Sequence, residues 1–206
     1  MQEKGTLSVN TENLMPIIKK WLYSDKDIFL RELVSNACDA ISKRDKLAAM
    51  SEAEAPDSYR VEIRANSTEG TLTISDNGLG MTADEVRKYI NQVAFSGAYD
   101  FIEKYESQAD GRDIIGHFGL GFYSAFMVAE KVVIQTLSYR PGAEAVRWES
   151  DGSSEYELSG GSRTAPGTDI ILYIDEDSRE FLEEPRLRSV LNKYLSLIHI
   201  SEPTRQ

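Results

Sequence analysis

The chain has 206 residues, 41% of them apolar, enough to bury a core of its own and too many for a disordered segment. Its net charge, 23 − 34 = −11, repels nucleic acid and argues against a broad DNA- or RNA-binding face. No apolar run approaches the roughly 20 residues that span a bilayer. The N-terminus (Met-Gln-Glu-Lys-Gly) has neither a basic start nor an apolar stretch, so no signal peptide is expected. The single cysteine, Cys38, rules out an internal disulfide, and a reducing cytoplasm is the expected setting.

In chain order, Thr6 to Val9 reads as a short strand, and Leu14, Ile17, Ile18 and Leu22 have helical spacing. Ser24 looks like an N-cap with Asp25 and Asp27 in the first turn, starting a helix from about Lys26 to about Ala49. Tyr59, Val61 and Ile63 alternate, as do Leu72 and Ile74. The turn Asn66 to Gly70 between them predicts a hairpin. A loop and helix follow, from Asp76 to about Val93. Residues 94 to 121 are glycine-containing and irregular, and such stretches tend to be functional. Phe122 to Ala129 reads as a short helix. Val132–Leu137, Ala145–Glu149, Glu155–Leu158 and Asp169–Ile174 read as strands separated by turns at Arg140-Pro141-Gly142 and Asp151-Gly152. Phe181 to Tyr194 reads as a closing helix. Hairpins dominate and no βαβ series is present. The expected fold class is therefore α+β, a two-layer sandwich of a mostly antiparallel sheet with helices covering one face. The expected domain spans residues 1–195. Residues 196–206 (SLIHISEPTRQ) fit nothing before them and read as a vector- or adapter-derived tail.

The first long helix carries a narrow polar stripe. Relative to Glu32, Asn36 lies at about 40°, Asp39 at about −20° and Lys43 at about 20°, while Leu30, Leu33, Ala37 and Ile41 lie between about 100° and 180°. A solvated face would produce the same stripe. Asn and Asp are nonetheless poor mid-helix residues, costing a few tenths of a kcal/mol each by propensity, and a ligand is one compensation.

Three glycine motifs follow. Asp76-Asn77-Gly78-Leu79-Gly80-Met81 leaves a strand, and its glycines permit tight turning and close backbone approach. A plain strand-to-helix turn explains it equally well. Gly116-His117-Phe118-Gly119-Leu120-Gly121-Phe122 precedes a helix and exposes amides suited to phosphate, with a hinge as the alternative. It is neither a P-loop nor a dinucleotide fingerprint. Gly167-Thr168 opens the last long strand and points a hydroxyl at a ligand or makes an ordinary turn.

Taken in order, Glu32-x-x-x-Asn36-Ala37-x-Asp39, Asp76-x-Gly78-x-Gly80, Gly116-x-x-Gly119-x-Gly121 and Gly167-Thr168 resemble the gyrase, histidine-kinase and mismatch-repair ATPase superfamily. The longer phrases Phe29-Leu30-Arg31-Glu32-Leu33-Val34-Ser35-Asn36-Ala37 and Gly119-Leu120-Gly121-Phe122-Tyr123-Ser124 resemble the bacterial branch of the heat-shock protein 90 chaperones, over residues 5 to 195 and the N-terminal domain only.

The resemblance implies ATP or ADP with Mg²⁺ as cofactors. It implies Glu32 as general base for the attacking water and Asn36 as the protein ligand to Mg²⁺. Asp76 would accept the adenine amine with help from Thr168, and Gly80 and Met81 would line the base site. Gly119, Gly121 and Phe122 would offer amides to the phosphates, and Asp39 and Lys43 would support ribose and phosphate. Residues 94 to 121 would form a glycine-rich lid over the nucleotide. It further implies client proteins, co-chaperones, a homodimer in the full-length protein and ansamycin-type inhibitors as partners, with no nucleic acid and no membrane. Two family residues are not carried over: the usual lysine falls at Phe95, and an asparagine near the base falls at Tyr89, with Asn91 two residues on. A sensor-kinase reading lacks an upstream phospho-acceptor, since the only histidines are His117 and His199.

Overall fold

The computed structural model describes residues 2–6, 26–92, 121–153 and 155–194. Its strands are β1 (Gln2–Thr6), β2 (Val61–Asn66), β3 (Thr71–Asp76), β4 (Ala129–Leu137), β5 (Val146–Ser150), β6 (Glu155–Gly160) and β7 (Gly167–Ile174). They form one seven-stranded sheet in the order β1-β6-β5-β4-β7-β3-β2. Every neighbouring pair is antiparallel. The expected hairpins close as their turn residues require. The Asn66 Oδ1 accepts from the Thr68 and Glu69 amides, each at 3.1 Å. Gly70, Gly142 and Gly152 supply the positive φ values of the β2–β3, β4–β5 and β5–β6 turns.

One face of the sheet is covered by helices. The long helix α1 (Ile28–Ala49) buries Phe29, Leu30, Leu33, Val34 and Ala37 against it. A short helix α2 (Ala83–Val86) is closed by a reciprocal capping box between Thr82 and Glu85, and it continues as a π-helical turn over Arg87–Gln92. A 3₁₀ segment, Gly121–Met127, lies wholly buried beneath α1. The helix α3 (Glu184–Tyr194) completes the layer. Inward-facing Leu72, Ile74, Val132, Ile134, Trp148, Leu158 and Leu172 meet these helices, and Phe29 packs edge-on against Phe181 at 5.0 Å. The two-layer antiparallel sandwich is thus as expected.

Four details correct the sequence reading. The first strand lies at Gln2–Thr6, so only Thr6 of the expected Thr6–Val9 belongs to it, and residues 7–9 lie outside the described set. Helix α1 begins at Ile28 with Asp27, not Ser24, at the cap position, and no acid occupies its first turn. Asp27 makes no cap bond. Its carboxylate instead pairs with Arg186, and Lys193 lies 3.6 Å away, both on α3. In place of the expected helix over Phe122–Ala129, the chain is 3₁₀ over Gly121–Met127, and Ala129 already begins β4. The single closing helix is two pieces, a 3₁₀ segment Glu176–Leu182 and α3, split at Glu183, whose backbone is extended. Pro185, in the first turn of α3, has no amide to donate back to the 3₁₀ segment, so helical hydrogen bonding cannot run on through it, whereas the first turn of a new helix tolerates it. Among the described residues no helix is long and apolar enough to cross a membrane.

Candidate functional site

Helix α1 runs alongside both glycine motifs. At its N-terminal half Glu32 lies directly against Gly121. A Cβ built at Gly121 would stand 2.7 Å from the Glu32 Oε2. Eight residues on, or about 12 Å along the axis, Ala40 meets Gly78, where an added Cβ would come within 2.6 Å of the Ala40 carbonyl carbon. The Leu79 amide donates to the Ala40 carbonyl at 3.3 Å. The helix is therefore a wall that reaches from one glycine turn to the other.

The polar stripe divides along that wall. Glu32 is buried, and its Oε1 accepts from the Arg31 guanidinium through Nε at 3.1 Å and Nη2 at 2.9 Å. Asn36, Asp39 and Lys43 are exposed along the same side. Cys38 is half-buried, and burial, followed by the nearby carboxylates of Asp39 and Asp76, pushes its thiol above the usual range. The carboxylates of Asp39 and Asp76 thus both lie near the mid-section of α1.

The other end of the site is a row of side chains across three strands. Asp76 on β3 is in register with Thr168 on β7, which is in register with Thr136 on β4. All three are buried. The two threonine hydroxyls lie 3.0 Å apart, and the Thr136 hydroxyl donates to the Gly167 carbonyl at 3.1 Å. The Met81 amide donates to the Thr136 oxygen at 2.9 Å, which folds the Asn77–Met81 loop over the row. Gly80 sits at φ +61°, and a Cβ there would fall 1.8 Å from the Leu137 carbonyl oxygen, so only glycine fits. The Gly78 amide donates to the Asp76 Oδ1 at 2.8 Å.

Burial pushes the Asp76 carboxyl up to about 6. The Gly78 amide and the Arg163 guanidinium oppose that shift, Asp169 adds to it, and the Thr168 amide opposes it. A buried carboxylate with donors on one side and a hydroxyl pair beside it suits a ligand that brings its own amine.

Among the described residues, no group of three or more His, Cys, Asp or Glu could hold a metal ion. The exposed amide of Asn36 is a donor suited to a magnesium ion that arrives with phosphate oxygens and keeps most of its waters. That side chain would serve a cation brought in by a phosphate-bearing ligand.

Of the expected site residues, Glu32, Asn36, Asp39 and Lys43 share the α1 wall and Glu32 touches Gly121. Asp76, Gly80, Met81 and Thr168 converge at the sheet end. The Phe122 ring belongs to the core, packed edge-on against Tyr123 and Trp148, so only its backbone faces this role. Gly116 and Gly119, with the rest of the expected lid from Ala94 to Leu120 and with Phe95, lie outside the described residues. Tyr89 is exposed, whereas Asn91 is buried and its Oδ1 accepts from the Trp148 indole at 3.0 Å.

Two participants were missed. Thr136 sits mid-pattern in an apolar strand, and its polarity at an inward position was the available signal. Arg44 is buried in the apolar arc of α1. It donates from Nη1 to the Asn77 carbonyl at 2.8 Å and from Nε and Nη2 to the Glu54 carbonyl at 3.1 and 2.9 Å. A guanidinium at an apolar heptad position was the sign of this clamp.

The family described as histidine kinase-, DNA gyrase B- and HSP90-like ATPase matches residues 24–157. The chain is 54% identical over 198 residues to the chaperone protein HtpG of Bacteroides fragilis, covering 96% of this chain and 29% of that protein. It is 49% identical over 202 residues to the chaperone protein HtpG of Porphyromonas gingivalis, covering 97% and 29%. It is 41% identical over 197 residues to the mitochondrial heat shock protein 75 kDa of Bos taurus, covering 95% and 28%. The chain thus spans under a third of the length of these relatives.

Proposed function

The chain belongs to the histidine kinase-, DNA gyrase B- and HSP90-like ATPase family, and from that membership we propose that it is the N-terminal ATP-binding domain of a bacterial-type heat-shock protein 90 chaperone. The observation that carries the reading is the α1 wall, with Glu32 against Gly121 at one end and the Gly78 turn of the Asp76 motif at the other. That arrangement would let a nucleotide lie along α1, its base end and its phosphate end met by different chemistry.

In this reading the adenine amine donates to Asp76, and Thr168 and Thr136 complete the base pocket with Gly80 and Met81. The backbone amides of Gly119, Gly121 and Phe122 meet the phosphates, where a glycine leaves room for close approach. Asn36 would hold the magnesium ion that accompanies them, which would supply charge neutralisation, and Asp39 and Lys43 would support ribose and phosphate. Glu32 takes the proton of the attacking water, a contribution of about 10² to 10⁴ in rate. Its burial against Gly121 and its pairing with Arg31 fix the carboxylate in place. The whole protein hydrolyses ATP as a homodimer in the bacterial cytoplasm, under stress conditions as well, and assists folding of client proteins with co-chaperones. Ansamycin-type inhibitors compete for the same pocket. For the 206 residues by themselves, which span under a third of the relatives' length, slow hydrolysis is expected.

Calorimetric titration with Mg-ADP and Mg-ATP, then single-turnover hydrolysis, tests the proposal. Saturable binding of both with slow turnover is expected. Absence of adenine-nucleotide binding by the folded chain rejects it. Asn36→Ala should remove the part of ATP affinity that EDTA also removes, and an unchanged response to EDTA rejects the metal role.

A further inference from the structure

Asp76 is held from behind. Arg163, in the loop between β6 and β7, approaches from the outer face of the sheet, opposite the helices. It lies at the wall of a cleft of about 350 Å³ that also includes Arg60, Arg64 and Ser75. Its guanidinium is largely buried and uses every edge. Nη1 pairs with the Asp169 carboxylate. Nη2 donates to the Asp76 carbonyl at 3.2 Å and lies 3.5 Å from the Pro166 carbonyl, and Nε donates to the Ala165 carbonyl at 3.2 Å. Asp169 is further held by the Ser75 hydroxyl. Gly167 is shaped to this packing: its φ is +135°, and a Cβ there would stand 2.1 Å from the Asp76 carbonyl oxygen and 2.6 Å from the Arg163 Nη2. One fork thus joins the end of β3, which carries Asp76, to the start of β7, which carries Thr168.

We infer that Arg163 is a positioning residue for base recognition: it sets the Asp76 carboxylate and the Thr168 hydroxyl in register for a purine amine. This rests on the nucleotide reading given above. The geometry supplies the reason. Asp76 is the last residue of β3 and pairs in the ladder with Thr168, the second residue of β7, and Arg163 adds a bond to the Asp76 carbonyl itself beside that pair. Charge supplies a second reason. Among the described residues, the ionisable groups whose influence reaches Asp76 are Arg163 from the β6–β7 loop, Asp169 on the outer face of β7 and Cys38 from α1. Arg163 is the cation among them, and it neutralises Asp169 as well. Without it, Asp169 on the outer face loses its counter-charge and Asp76 on the helix face loses the nearby cation, so Asp76 takes up a proton at higher pH. A protonated Asp76 no longer offers the amine a charged acceptor.

The test compares ADP with inosine diphosphate, which lacks the exocyclic amine, in calorimetry from pH 5.5 to 8.5 on the parent chain, Arg163→Met and Arg163→Lys. For the parent, ADP affinity should fall as pH drops through about 6. Arg163→Met should lose about tenfold in ADP affinity with little change for inosine diphosphate, and its pH midpoint should move upward. Arg163→Lys, which keeps the charge but not the fork, should keep the parent midpoint while binding ADP more weakly. If ADP and inosine diphosphate weaken together, or the midpoint stays put in Arg163→Met, the inference is overturned and the nucleotide reading stands. If the parent discriminates no amine and binds no nucleotide, both fall. Should Arg163→Met fail to fold, Arg163→Gln, neutral but still a donor for the Asp76 carbonyl, undergoes the same comparison with the same deciding outcomes.

Discussion

The Glu32 carboxylate rests on Gly121 so closely that a single added methyl at 121 would stand 2.7 Å from Oε2. Glu32 is also buried and bonded to Arg31, so it has little room to retreat. Gly121→Ala should therefore displace the carboxylate while the fold survives, because the methyl meets the end of a side chain rather than backbone. Single-turnover hydrolysis should drop at least tenfold, consistent with the sensitivity of catalysis to small misplacements. Turnover equal to the parent would mean that the position of Glu32 does not matter.

Replacing the base itself separates binding from chemistry. Glu32→Ala should bind ADP within a few-fold of the parent and lose about 10² to 10⁴ in hydrolysis. Calorimetry and single-turnover rates on the same preparation decide it. Loss of binding in step with turnover would reassign Glu32 to holding the nucleotide.

Asp76 links function to pH and stability. Its carboxyl is pushed up to about 6 by burial, from an ordinary value of 3.8. The folded state thus holds the proton more tightly than the unfolded state. Stability from this group is greatest below the unfolded value, declines as pH rises between about 4 and 6, and stays lost above that. Asp76→Asn should relieve the cost, raising the stability of the ligand-free chain at pH 8 by about 1–3 kcal/mol, with the gain vanishing near pH 4. The same variant should bind ADP about 5- to 150-fold more weakly. Denaturant melts at the two pH values check the first part, and a pH-independent difference between the proteins would refute it.

Thr136 is the hub of the sheet end. Its hydroxyl accepts the Met81 amide, donates to the Gly167 carbonyl and lies beside the Thr168 hydroxyl. Thr136→Val keeps the shape and strand propensity but leaves the Met81 amide without its acceptor. It should cost about 1–3 kcal/mol in stability and loosen the Gly80–Met81 loop, visible as faster hydrogen exchange there. Exchange at parent rates would show that the loop is held by other contacts.

Local pattern determined much of this protein. The alternation in β2 and β3 with the Asn66–Gly70 turn, the stripe of α1 and the chain order of the glycine motifs were all legible, because each depends on residues within a turn or two of one another. Periodicity gave the direction of Glu32, Asn36, Asp39 and Lys43 but not their surroundings. Only the tertiary structure decided that Glu32 is buried against Gly121 while the other three are exposed. It also decided that Thr136 and Thr168, 32 residues apart, share one hydrogen-bonded row with Asp76, and that Arg163 reaches Asp76 from 87 residues away. These relationships depend on strand order and register, which pair positions remote in the chain, and no local propensity encodes such a pairing. The same limit hid the helix break near Pro185 less well: a proline announces a possible stop, yet Phe181 to Tyr194 reads as one helix until the extended backbone of Glu183 is seen.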